Sequence, residues 1–221
     1  MVVSEGVIKE SPMARMKPPK LPENLPPVLN EDALKALLNT CENGKDFESR
    51  RDAALLRVFI DTGARLSEIT NLRWDPSDDT QNDVGLDSGQ LRVMGKGHRE
   101  RILSIGRKTV RAMDRYLRMR SSHKDVGLPL LWLGTRGKMT PSGVRQVIQK
   151  RGEQAGLGAI HPHQLRHSFA NRWLSEETGG EGNLMSLMGW CSRTMLQRYA
   201  ASAASERALT AHKRLSLGDW L

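Results

Sequence analysis

The segment HPHQLRHSFANRW, His161 to Trp173, carries three histidines and two arginines around a run of apolar residues. Pro162 suits the first turn of a helix, and His163 and Arg166 then lie at i and i+3 on one helical face. An imidazole moves protons near neutral pH while a neighbouring guanidinium holds an anion, which is the pairing needed to attack a phosphodiester. His161 and His167 are assigned to capping or core contacts. In TGARLSEITNLRW, Gly63 permits a turn, Arg65 follows it, and Glu68 comes three residues later on the same helical face. Arg65 offers a fixed fork of donors to a phosphate, with Glu68 holding the fork; a surface ion pair at helical spacing fits the same residues.

Lys96, in MGKGHRERI, is flanked by glycines that let a partner approach closely, although a solubilising lysine on an exposed hairpin has the same signature. The segment lacks the GxxxxGK[ST] spacing of a nucleotide-binding loop. In LMGWCSRTMLQRYA, Tyr199 is one of only two tyrosines, with Tyr116, and small residues follow it, which would leave its hydroxyl accessible. It reads either as a nucleophile or as a packing residue with its hydroxyl bonded. Trp190 reads as core, or as an indole donor to a buried oxygen.

Helices must position most of these groups. LNEDALKALL opens the first, with Asn30 as cap and Leu29 stapling against Leu34. SRRDAALLRVFIDTG is apolar on almost every side, which predicts a buried central helix stopping at Gly63. QLRVM and ERILSI alternate around GKGH as two strands of a hairpin. Capping and periodicity predict helices over 107–121, 141–155, 163–176 and 193–200, with shorter pieces at 182–188 and 203–214. The fold class is therefore mainly α with a small antiparallel β-sheet, an α+β arrangement.

The chain has 221 residues, 38% hydrophobic and 27% charged, which suits one main globular domain with a sizeable core. Six of the ten prolines fall between Pro12 and Pro27, so residues 1–27 read as a flexible linker and 28–221 as the domain. No stretch is long and apolar enough to span a bilayer and the start lacks a leader pattern, so a cytoplasmic protein is expected. Cys41 and Cys191, without a second ligand pair nearby, suggest neither a disulfide framework nor a zinc site and are expected to be reduced and structural. A formal charge of +9 favours nucleic acid as partner, because a lysine and arginine surplus releases the counterions of a polyanion.

Taken in order, Arg65, Lys96, His163, Arg166, Trp190 and Tyr199 resemble the active-site set of the tyrosine recombinases of the phage integrase group, over about residues 28–205. Trp190 departs from the commonest pattern, in which that position is histidine. The resemblance implies the DNA breaking-rejoining catalytic fold and cleavage through a 3′-phosphotyrosyl intermediate. Arg65 and Arg166 would clamp the nonbridging oxygens, supported by Glu68. Tyr199 would attack phosphorus, His163 would accept or organise its proton, and Lys96 would donate one to the departing 5′-oxygen. It implies no metal and no cofactor, since the cationic side chains supply the positive charge.

The partners implied are double-stranded attachment sites, a homotetramer on two synapsed duplexes with a monomer off DNA, and accessory bending or directionality factors; integration or excision of a phage genome would be the task. Phosphate contacts are expected from Arg92, Arg99, Arg101, Lys138, Arg145 and Arg172. The core-binding domain that usually precedes the catalytic one is not expected in this chain. The segment 203–221, with apolar Leu209, Leu215, Leu217 and Trp220, either exchanges between protomers or packs on its own domain. A type IB topoisomerase and a catalytically silent DNA-binding regulator are the competing readings.

Overall fold

The computed structural model describes residues 27–95, 97, 99–176, 179–197, 199–200 and the single positions 204, 208 and 212. Helix α1 spans Glu31–Asn39 and opens as its sequence demands, with the Asn30 side chain accepting from the Ala33 amide. Leu29 and Leu34 both pack against the core. Helix α2, Phe47–Thr62, is capped by Asp46 and runs through the middle of the domain, where Leu55, Leu56, Val58 and Phe59 are wholly buried. Its buried Asp52 is paired on both sides, by Arg51 of the same helix and by Arg151. A lone buried carboxylate would be costly, so the second guanidinium ties a distant helix to α2.

Gly63 ends α2 in the left-handed region at φ 57°, where a Cβ would lie 2.6 Å from the Phe169 ring. Only glycine meets both conditions, and the chain turns there directly into the short helix α3, Leu66–Thr70. A three-stranded antiparallel sheet follows in the order β1 (Val84–Gly85), β2 (Gln90–Met94), β3 (Glu100–Ser104). Val93 pairs with Arg101 and Met94 with Glu100, so the hairpin connection falls between Met94 and Glu100. Lys96 itself lies outside the described residues.

Helix α4, Arg107–Arg120, packs along α2, and the buried Arg120 guanidinium donates to the carbonyls of Leu128, Leu130 and Leu131. A hairpin of β4 (Leu133–Gly134) and β5 (Gly137–Lys138) leads into α5, Pro141–Gln154, capped by Thr140. Helices α6, Pro162–Ser175, and α7, Glu181–Met188, follow, with helical backbone again at 193–197 and 199–200. A second, smaller core joins Ala170, Leu174, Leu184, Met188, Trp190, Leu196 and Tyr199.

The first two helices, those expected over 107–121, 141–155, 163–176 and 182–188, and the hairpin are present, and the helical spacing of Arg65 and Glu68 is realised in α3. The piece expected at 203–214 lies outside the described residues but for three positions, and β1 and the β4–β5 hairpin, too short to carry a periodic pattern, were not anticipated. Both cysteines are free, but Cys191 is exposed, so the structural role expected of both belongs to Cys41 alone. The proline-rich segment lies outside the described residues except at its last position, and so does the C-terminal segment with Leu209, Leu215, Leu217 and Trp220.

Candidate active site

The carboxyl end of α7 organises the site. Three consecutive carbonyl oxygens there each accept from a different arginine. Leu187 O takes Arg101 Nε at 2.8 Å, Met188 O takes Arg166 Nη2 at 2.8 Å, and Gly189 O takes Arg65 Nη2 at 3.0 Å. The last carbonyls of a helix have no partner within it and form the negative pole of its dipole, so cations belong there. Gly189 closes the helix at φ 60°, and a Cβ on it would come within 3.2 Å of both Arg65 and Arg101. Glycine is what lets two guanidinium groups close on this turn.

Among the described residues Glu68 is the one carboxylate bonded to these arginines. Its oxygens accept from Arg65 Nη1 at 2.9 Å and from Arg101 Nη1 and Nη2 at 2.8 and 2.7 Å, while the Arg65 amide donates to it at 2.7 Å. Burial pushes the carboxyl up, but the Arg101 hydrogen bonds and charge together with the Arg65 contacts outweigh it and bring it to about 2. At 3% exposure Glu68 is inside the protein, so the alternative of a surface ion pair is overturned. Arg65 is the N-cap residue of α3, and three of its five N–H groups engage none of the described residues.

Arg166, from the first turns of α6, also donates Nη1 to Gly63 O at 2.6 Å. Burial lowers it to about 10, with the Arg65 charge the next contributor, so it stays charged at neutral pH. Three guanidinium groups thus face one carboxylate, and the surplus of positive charge calls for an anion. Beside these groups lies a cavity of about 330 Å³, lined by Arg65, Arg145, Gln149, His161, His163 and Arg166 among others. His163 is exposed at this cavity.

Tyr199 lies between two rings, with Trp190 stacked at 4.8 Å and His167 tilted at 4.8 Å. It is 5% exposed, so the accessible hydroxyl expected from the small residues after it is not what the structure has; the rings enclose the side chain. Trp190 is likewise buried, the Arg166 guanidinium lies 5.8 Å from its ring centroid, and its indole Nε1 has no hydrogen-bond partner among the described residues. His167, assigned from sequence to a core or capping contact, proves to be a wall of the Tyr199 enclosure. Burial, then the charges of His163 and Arg166, lower it to about 4, which keeps the ring neutral at physiological pH. His161 is the N-cap residue of α6, where its amide donates to Gln164.

The expected DNA contacts divide. Arg145 lines the cavity, and Arg99 and Lys138 are exposed, Arg99 with Nη1 3.5 Å from Cys191 Sγ. Arg92 is engaged by Asp83 at 3.0 Å, and Arg172 lies near Glu176 on a different cavity, between α2 and α6. Arg101 is a correction: its fork is spent on Glu68 and Leu187, so it is an internal strut and not a surface phosphate contact. The strand alternation in ERILS carried the signal, because Ile102 is exposed and Leu103 buried, which puts Arg101 on the inward face. Among the described residues no group of three or more histidine, cysteine or acidic side chains could hold a metal ion.

Residues 27–206 match the model of the phage integrase family. Tyrosine recombinase XerC of Pseudomonas putida is 36% identical over 172 residues, 77% of this chain and 54% of the relative. XerC of Proteus mirabilis is 32% identical over 199 residues, 89% and 62% of the two chains. The chain spans about half the length of the curated relatives it matches. Among solved structures, XerA recombinase superposes with a TM-score of 0.71 at 29% identity, over 88% of this chain and 67% of that one. XerH site-specific recombinase bound to a palindromic difH substrate gives 0.69 at 20% identity, over 86% and 53%, a likeness of fold alone.

Proposed function

The chain belongs to the phage integrase family, and from that membership and the arginine-lined cavity we propose that it is the catalytic unit of a tyrosine site-specific recombinase acting on double-stranded DNA. The observation that carries the reading is the convergence of Arg65, Arg166 and His163 on one cavity. Arg166 also interacts electrostatically with Tyr199. A phosphodiester carries one negative charge and its pentavalent transition state a second; the two guanidinium groups stabilise the added charge in a site already oriented by α7. Trp190, whose indole N–H has no partner among the described residues, donates it to a nonbridging oxygen, a role open to tryptophan as to histidine.

In the step itself the Tyr199 oxygen bonds to phosphorus as the bond from phosphorus to the 5′-oxygen breaks. The tyrosine proton passes to His163, and Lys96 supplies one to the leaving oxygen. The new phosphotyrosyl bond keeps the energy of the old phosphodiester, so a 5′-hydroxyl from a second duplex reverses the step without an external energy source. Two duplexes held by four protomers give exchange, and the chain is a monomer off DNA. Integration or excision of a phage genome is one use of this chemistry; the curated relatives quoted above carry the name tyrosine recombinase XerC.

The test starts by selecting bound sequences from a random duplex pool and building two differently labelled duplexes from them. Recombinant strands, with no relaxation of supercoiled DNA lacking the selected site, are the expected result. Relaxation without exchange would replace the reading with a topoisomerase, and binding with neither activity would replace it with a regulator.

A further inference from the structure

Arg101 sits on β3, 33 residues from Glu68 and 86 from Leu187, and holds both. It uses Nη1 and Nη2 on the two Glu68 oxygens and Nε on the α7 terminus, so one planar group fixes the carboxylate relative to the helix end. Without it, Glu68 would keep only the Arg65 amide and Nη1 as partners, both from the start of its own helix, and nothing would fix the carboxylate relative to the α7 terminus. The close approach is built in: a Cβ at Gly95 or at Gly189 would come within 3.2 Å of Arg101 Nη1. The side chain is 14% exposed and the Glu68 side chain 2%, too enclosed for a contact made with passing DNA.

We propose that Arg101 is a positioning residue for the phosphate clamp. It locks Glu68, and through Glu68 it aims the Arg65 guanidinium into the cavity, while the carboxyl end of α7 holds Arg101, Arg166 and Arg65 in one array. It touches neither phosphate nor nucleophile. This rests on the recombinase reading for its effect on catalysis, but its effect on Arg65 is independent of that reading.

The experiment compares wild type, Arg101→Met and Arg101→Lys in single-turnover formation of the covalent adduct on a nicked duplex, at saturating protein. The expected result is a cleavage rate at least about 30-fold lower in R101M, as for any misplaced catalytic group, with partial recovery in R101K. DNA affinity and its salt slope stay at the wild-type values. R101M combined with Glu68→Gln is no slower than the slower single variant, because both act on one unit. Weaker binding, a salt slope smaller by about 0.9 and a normal rate at saturation would make Arg101 a phosphate contact and overturn the proposal.

If R101M strands the buried carboxylate and fails to fold, the paired R101M/E68Q chain removes both charges and is compared with E68Q alone. A second readout does not need activity. The Arg65 guanidinium should show resolved Nη resonances by NMR in wild type and averaged ones in R101M, with Arg166 unchanged. Wild-type protein that forms no adduct would count against the recombinase reading, whereas Arg65 resonances unaltered in R101M would overturn the role of Arg101.

Discussion

At Arg166 the chemistry is concentrated in one planar group. Two of its nitrogens are committed to Gly63 O and Met188 O, so the fork is held from behind. Lysine keeps the charge but cannot reproduce that grip, and Arg166→Lys should lower the single-turnover cleavage rate by about 100-fold or more, the range for losing one preorganised donor. A rate within a few fold of wild type would remove Arg166 from the clamp. His167 supplies a pH prediction. Its folded-state value of about 4 lies below the ordinary 6.5, so the unfolded chain takes up the proton first as pH falls. The stabilising effect of the neutral ring is therefore complete above pH 6.5 and is lost as pH drops toward 4. His167→Phe keeps a ring beside Tyr199 and should flatten the fall of Tm over that window. Parallel curves for the two proteins would show that His167 is not buried in its neutral form.

The elements that position these groups were unevenly legible. Helix α2 could be read because its apolar run and its terminal glycine agree with each other. The left-handed Gly63 sets both the direction of α3 and the carbonyl that Arg166 uses. Gly63→Ala should cost about 2–4 kcal/mol, combining left-handed strain with overpacking against Phe169, and urea unfolding would measure it. A cost under about 0.5 kcal/mol would mean that the turn relaxes without strain. What escaped the sequence is tertiary. Arg65 and Glu68 announce each other through helical spacing, but Arg101 meets them only because the β2–β3 hairpin folds over α3, and the end of α7 meets Arg65, Arg101 and Arg166 only because α6 returns to Gly63. The enclosure of Tyr199 was hidden for the same reason, since Trp190 and His167 come from separate segments that no local pattern joins.

Over the whole molecule the sequence carries a formal charge of +9, and a good part of its arginine is turned inward to hold the fold. Arg51, Arg120, Arg151 and Arg166 are buried, so counting basic residues overstates the surface available to DNA. Arg99, Lys138 and Arg145 are exposed and are the groups expected to meet phosphates. The logarithm of affinity should fall against the logarithm of salt concentration with a slope of about −0.9 per phosphate contacted. Arg145→Ala should reduce that slope by one such step without changing sequence preference; an unchanged slope would place Arg145 away from the backbone. The central claim is that Tyr199 becomes covalently joined to DNA in a cavity ordered by Arg65 and Arg166. The measurement that tests it most directly is peptide mapping of the adduct trapped by denaturing the protein on a nicked duplex. The expected product is a nucleotide-bearing peptide whose modified residue is Tyr199, absent from Tyr199→Phe. A stable adduct on any other residue, or one that persists in the phenylalanine variant, would contradict it.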